Sequence, residues 1–129
     1  MMSAVKLTEI DEAPLKTRAL YAGVQEKFGV VPNFLKAMGG HPEFLEAMLQ
    51  LHGAVFDEGA IPAKYKNLIA LAVSMANGCN YCTSSFTAHS QLSAASEREL
   101  DETRAIVALL SAYNKYLSAS GIPCDIAPA

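Results

Sequence analysis

Asn77-Gly78-Cys79-Asn80-Tyr81-Cys82-Thr83-Ser84-Ser85-Phe86-Thr87-Ala88-His89 carries two of the chain's three cysteines. Asn77-Gly78 interrupts the apolar run Leu68 to Ala76, which places Cys79 at or beside the start of a new helix. In a helix, Cys-x-x-Cys spacing sets two sulfurs one turn apart, within reach of a small disulfide. Unpaired N–H groups and the positive end of the helix dipole favour a thiolate at such a terminus. The pair can therefore cycle between dithiol and disulfide.

Working outward, Pro62 sits in the first turn of a helix predicted from about Ala63 to Met75, and past that turn Leu68-Ile69-Ala70-Leu71-Ala72-Val73 make the helix apolar almost all round. So complete an apolar surface needs cover on several sides. In a chain of 129 residues a second copy supplies it more readily than the remaining helices do, so a homo-oligomer is expected.

Upstream, Asp11 is placed to cap a helix from Pro14 to Phe28, with Leu15, Leu20, Val24 and Phe28 as its apolar side and Gly29 as its stop. Val31-Pro32-Asn33 opens a short helix that Gly39-Gly40 ends. His41-Pro42 starts another, reaching about Phe56. Its apolar positions Phe44, Met48, Val55 and Phe56 share a side with His52, which is expected to face inward. His52 is then either a core imidazole bonded to a carbonyl or a participant at the cysteine site.

Downstream, Ser96 and Glu99 form a capping box for a long helix from Glu97 to about Ser118, ended by Gly121 and Pro123. Leu100, Val107 and Leu110 make its stripe, widened by Ile106, Leu109, Tyr113 and Leu117. The tail from Ile122 to Ala129 has no periodicity. No stretch alternates with period two between hairpin signals, so the expected class is all-α, in one domain spanning residues 1–129.

Composition narrows function. A net charge of −3, without clustered Lys or Arg, argues against nucleic acid as a partner. Met1 to Asp11 lack the pattern of a secretion signal and no apolar run approaches a membrane span, so a soluble cytoplasmic protein with no membrane partner is expected. Three cysteines make a poor disulfide framework, whereas a cytosolic Cys-x-x-Cys is redox-active or metal-binding more often than structural.

Redox cycling needs a thiolate, a second thiol and a proton carrier. His89 follows Cys82 by seven residues, on nearly the same face but about 10 Å further along the axis. A water, a helix bend or a neighbouring subunit would have to bridge that gap. Phe86, one turn after Cys82, carries no proton, and Tyr81 points elsewhere and is expected to pack. Against redox chemistry stands the possibility that Cys79 and Cys82 are small buried hydrophobes. A zinc site completed by His52, His89, His41 or Cys124 has little support, since neither a second Cys-x-x-Cys nor His-x-x-x-His is present. Haem attachment fails because Thr83 follows Cys82 where histidine is required. The expectation is a site with no metal and no organic cofactor.

Lys66-Asn67-Leu68-Ile69-Ala70-Leu71-Ala72-Val73-Ser74 followed by Asn77-Gly78-Cys79-Asn80-Tyr81-Cys82 resembles the AhpD-like alkylhydroperoxidases of the carboxymuconolactone decarboxylase superfamily. Val31-Pro32-Asn33-Phe34-Leu35, His41-Pro42-Glu43-Phe44-Leu45, Ala112-Tyr113-Asn114 and Gly121-Ile122-Pro123 extend the likeness over about residues 28–123. The resemblance implies an all-helical, oligomeric fold, trimer or hexamer, that reduces a small hydroperoxide and is reset by a thiol reductant. It also implies that Cys82 attacks and Cys79 resolves. Two positions depart from the family's relay: Asn67 stands where a glutamate belongs and Phe86 where a histidine belongs. Any acid–base role then moves to His89, His52 or Glu58. A redox sensor or binding module, and a decarboxylase-like enzyme, are the competing readings.

Overall fold

Proline and glycine set the helix boundaries in the computed structural model, which describes residues 4–128. The first three residues of the Met1–Asp11 segment and the last of the Ile122–Ala129 tail lie outside the described residues. The described residues form helices and no strand, an all-α architecture. Contacts divide the chain into two compact units, one ending at Asp57 and one beginning at Glu58.

The first unit has a single 3-10 turn, Ile10–Glu12, then α1 (Leu15–Phe28), α2 (Asn33–Met38) and α3 (Pro42–Phe56). Helix α1 starts after Pro14 without a side-chain cap. Asp11, expected to cap it, lies in the 3-10 turn, where its carbonyl accepts from Arg18 Nη2 at 3.1 Å. Gly29, left-handed with φ 78°, ends α1 as anticipated.

The inward side of α1 also differs from expectation: Leu15 is 83% exposed and Phe28 49%, while Thr17, Tyr21 and Val24 are buried. The reason is polar. Thr17 Oγ1 donates to the Gly39 carbonyl at 2.7 Å and Tyr21 Oη to the Thr8 carbonyl at 2.9 Å, so both side chains lie inside with their hydroxyls bonded. Around them Ala13, Val31, Leu35 and Leu45 close the core, with Leu20, Met38 and Leu49 against it. Gly39 is sterically required here, because a Cβ at that position would stand 2.0 Å from the Tyr21 hydroxyl oxygen.

Helix α3 has Pro42 in its first turn and is capped by His41, whose Nδ1 accepts the Phe44 N–H at 3.2 Å. Its inward residue is Leu45, fully buried. Phe44, Met48 and Val55, expected inside, are exposed in the chain taken by itself. His52 is half-buried and stacks on Phe56 with ring centroids 4.8 Å apart.

The second unit comprises α4 (Ala63–Asn77), α5 (Asn80–Leu92) and α6 (Glu97–Ser120). Helix α4 packs against both of the others. Leu71 and Leu100 are fully buried. Ser74 is buried on α4 because its hydroxyl donates to the Ala70 carbonyl. The Ser96–Glu99 capping box forms as anticipated, and Gly121 in the left-handed region ends α6. Lys64 Nζ pairs with Glu99 Oε2 at 3.1 Å, fastening the start of α4 to the start of α6.

Beyond that point the α6 stripe is uncovered. Val107 is half-buried, while Ile106, Leu109, Leu110, Tyr113 and Leu117 are exposed, as are Ile69 and Val73 of α4. No helix among the described residues is long and apolar enough to cross a membrane.

Candidate active site

The site is built at the joint between α4 and α5. Gly78 closes α4 in the left-handed conformation, φ 73°, with its N–H on the Met75 carbonyl at 3.2 Å. The next N–H, that of Cys79, reaches back to the Ser74 carbonyl at 3.0 Å, the doubled closure typical of a glycine-terminated helix. Cys79 then turns extended, φ −86° and ψ 100°, and becomes the N-cap of α5. One residue thus ends one helix and begins the next.

As N-cap, Cys79 uses sulfur where serine or aspartate would use oxygen. Its Sγ accepts the Cys82 N–H at 3.3 Å, and its carbonyl accepts the Thr83 N–H at 2.9 Å. The two cysteines titrate in opposite directions. The hydrogen bond from the Cys82 thiol, then the backbone N–H of Cys82 and that of Tyr81, pull the Cys79 thiol below its ordinary range against the opposing effect of burial. Donation to Cys79 first, then burial and the charge on Cys79, push the Cys82 thiol above it. Both side chains are half-buried, and all three cysteines are free thiols. Asn80, Tyr81, Ser84 and Ser85 line an open depression along the first turns of α5, with Tyr81 48% exposed in the chain taken by itself.

The other candidate residues occupy separate positions along the chain. Helix α5 runs unbroken from Asn80 to Leu92, so no bend shortens the separation of about 10 Å between Cys82 and His89. His89 is exposed and its ring lies 5.8 Å from that of Phe86. His52 belongs to the first unit, where Phe56 is its stacking partner. Cys124 is exposed in the tail, its thiol donating to the Ile126 carbonyl at 3.5 Å. His41 spends Nδ1 on its cap. Among the described residues no three His, Cys, Asp or Glu side chains are grouped to hold a metal ion.

Asn67 has a role that sequence reasoning missed. Its Nδ2 donates to Ser93 Oγ at 2.9 Å and to the His89 carbonyl at 3.4 Å, so it satisfies the C-terminal end of α5. That bond shows α4 and α5 running antiparallel. The only signal in the sequence was the amide side chain itself, since its partners lie more than twenty residues away.

A Cys-x-x-Cys capping the second arm of an antiparallel helix pair, within an all-α chain, defines a thiol-bearing domain of AhpD type. The crystal structure of the alkylhydroperoxidase AhpD core from Rhodospirillum rubrum matches it with a TM-score of 0.88 and 28% identity, over 97% of this chain and 96% of that one. The profile of the carboxymuconolactone decarboxylase family matches residues 42–123, and the chain belongs to that family. No curated protein matches the sequence.

Proposed function

We propose that this protein is a thiol-dependent oxidoreductase that reduces small hydroperoxides, or exchanges disulfides, through Cys79 and Cys82, with no metal or organic cofactor. The observation that carries this reading is the pair of free thiols at the N-cap of α5, where Cys79 Sγ accepts the Cys82 N–H at 3.3 Å and hydrogen bonds from Cys82 lower the Cys79 pKa. The likeness to an alkylhydroperoxidase core supports it. A dithiol donor resets the pair, and a reducing, cytoplasmic setting suits such a cycle.

The test is thiol titration of the reduced protein before and after one equivalent of cumene hydroperoxide. Loss of two thiols per chain, with mass mapping of a Cys79–Cys82 disulfide and Cys124 left free, is the expected result. Unchanged thiol content removes the proposal.

One observation favours a second reading. Asn67 is engaged at the far end of α5 and Phe86 stands one turn after Cys82, so a redox sensor without rapid turnover would need nothing the chain lacks. Disulfide formation that alters oligomer size, with no catalytic consumption of peroxide, would select it. A decarboxylase-like activity, in turn, would survive Cys82→Ser. For the exposed apolar residues of α6 we propose a second copy of this chain as cover, in a single-domain protomer. Leu109→Glu should then lower the mass seen by light scattering.

A further inference from the structure

We propose that Asn67 is a positioning residue for the thiol pair: by tying the far end of α5 to α4 it holds the arrangement in which Cys79 and Cys82 are thiols, and so raises the reduction potential of their disulfide. The proposal rests on the redox reading above and gives a task to a side chain about 18 Å back along α4 from Cys79.

Helix α5 is held at two points. At the near end the Cys79 N–H is bonded to the Ser74 carbonyl of α4 at 3.0 Å, and the Cys79 carbonyl accepts the Thr83 N–H of α5 at 2.9 Å. One residue is therefore the pivot between the two helices. At the far end, about 20 Å along the axis, Asn67 Nδ2 donates to Ser93 Oγ at 2.9 Å and to the His89 carbonyl at 3.4 Å. That carbonyl already accepts the Ser93 N–H at 3.0 Å, so the amide supplements the closure of α5 and does not make it. What it adds is a bond between helices. Ser74 and Thr87, by contrast, donate their hydroxyls to carbonyls of their own helices, those of Ala70 and Thr83.

The backbone marks the same end as fixed. Ala94, next to Ser93, is left-handed with φ 68°, a conformation that alanine adopts only at a cost. Its N–H closes on the Gln91 carbonyl at 3.0 Å, and the Ala95 N–H on that of Ser90 at 2.9 Å. Strain of this kind persists where the surroundings over-determine the chain. Here they do so on both sides, with Ser93 fastened to Asn67 and Ser96 capping α6.

The consequence reaches the sulfurs through the pivot. In the tied arrangement both are thiols, with Cys79 Sγ on the Cys82 N–H at 3.3 Å. Closing the disulfide draws the two sulfurs together to about 2 Å. The N–H of Cys79 is held by α4 and its carbonyl by α5, so the adjustment passes through torsions that also set the direction of α5. A helix fastened at its far end resists being redirected. The tie thus favours the dithiol, and by reciprocity the disulfide weakens the tie by the same factor. The net worth of one hydrogen bond sets that factor at about three- to tenfold.

The test is an exchange equilibrium in which the protein dithiol passes two electrons and two protons to oxidised dithiothreitol, giving the protein disulfide and reduced dithiothreitol. Full-length protein is equilibrated without oxygen over a range of dithiothreitol ratios, its thiols are trapped, and the peptides carrying Cys79 and Cys82 are quantified by mass. Asn67→Ala should move the constant about three- to tenfold toward the disulfide. Asn67→Asp, of the same shape but unable to donate to the His89 carbonyl when ionised, should move it the same way and keeps the test open should Asn67→Ala not fold. Ser93→Ala should act in the same direction, and the double variant should go no further than Asn67→Ala, since both remove one tie. Leu45→Ala, which destabilises the first unit, should leave the constant unmoved. The melting-temperature loss caused by Asn67→Ala should also be smaller in the disulfide form than in the dithiol.

A constant unchanged in both Asn67 variants, a shift toward the dithiol, additive shifts in the double variant, or an equal shift in Leu45→Ala would each overturn the proposal and leave the redox reading in place. Thiols that exchange with dithiothreitol but ignore peroxide would remove the peroxidase reading alone. A pair that never forms a disulfide would remove both.

Discussion

The two units of this chain handle their apolar residues differently. The first encloses a cluster, Ala13, Tyr21, Val24, Val31, Leu35 and Leu45, around a hydroxyl-to-carbonyl knot at Thr17, Tyr21 and Gly39. The second buries Leu71 and Leu100 completely but leaves the stripe from Ile106 to Leu117 in the open. The thiol pair belongs to the second. The proposed chemistry thus sits on helices whose cover is incomplete within one chain, so the proposed association of copies should bear on activity more than on the fold of the first unit.

The sharpest test of that contrast compares Leu45→Ala with Leu71→Ala, both at positions of zero exposure. Each should cost about 2–5 kcal/mol in denaturant unfolding. If copies associate and the chain unfolds as one unit, the midpoint of either variant should rise with protein concentration while the loss itself stays the same. Midpoints that ignore concentration would count against association. Calorimetry of either variant should still show one transition if the units fold as a single domain.

A smaller effect separates packed from open glycines. Gly39→Ala forces a methyl into the Tyr21 hydroxyl and should cost about 1–3 kcal/mol. Gly23→Ala, within α1 and with no atom within 4 Å of the added Cβ, should stabilise by about 0.5–1 kcal/mol. Thermal melts of the two variants should move in opposite directions.

An effect of similar size belongs to the α6 cap. The Ser96 backbone N–H first, and the Lys64 ammonium second, hold the Glu99 carboxyl below its ordinary value of 4.5. A depressed native pKa stabilises at pH above the unfolded value, and that contribution disappears as pH falls through the native one. The melting-temperature gap between the unsubstituted protein and Glu99→Gln should thus be constant near neutrality and close below pH 4.5. Ser96→Ala, which removes the reciprocal bond, should cost about 1 kcal/mol.

Helix ends were legible because their signals are local. Gly29, Gly78 and Gly121 adopt the left-handed conformation that ends a helix, Pro42 sits in a first turn, and Ser96 with Glu99 closes its box within four residues. Helix faces were less legible. Leu15 and Phe44 look like core residues by spacing, yet spacing cannot tell a surface covered by the same chain from one that is not. Thr17 and Asn67 were missed for the opposite reason, since each depends on a partner more than twenty residues away. The cysteine pair could be found at once, but the bond from the Cys82 N–H to the Cys79 sulfur could not; it depends on the extended backbone at Cys79, after the left-handed glycine.

The sulfur that caps α5 also makes the helix sensitive to its oxidation state. In the proposed disulfide the Cys79 sulfur could carry no charge, so the Cys82 N–H would keep a weaker acceptor than a thiolate. Hydrogen–deuterium exchange at that amide should quicken on oxidation while amides deeper in α5 stay protected. A single backbone proton then serves as a built-in reporter, readable by nuclear magnetic resonance without any label on either sulfur.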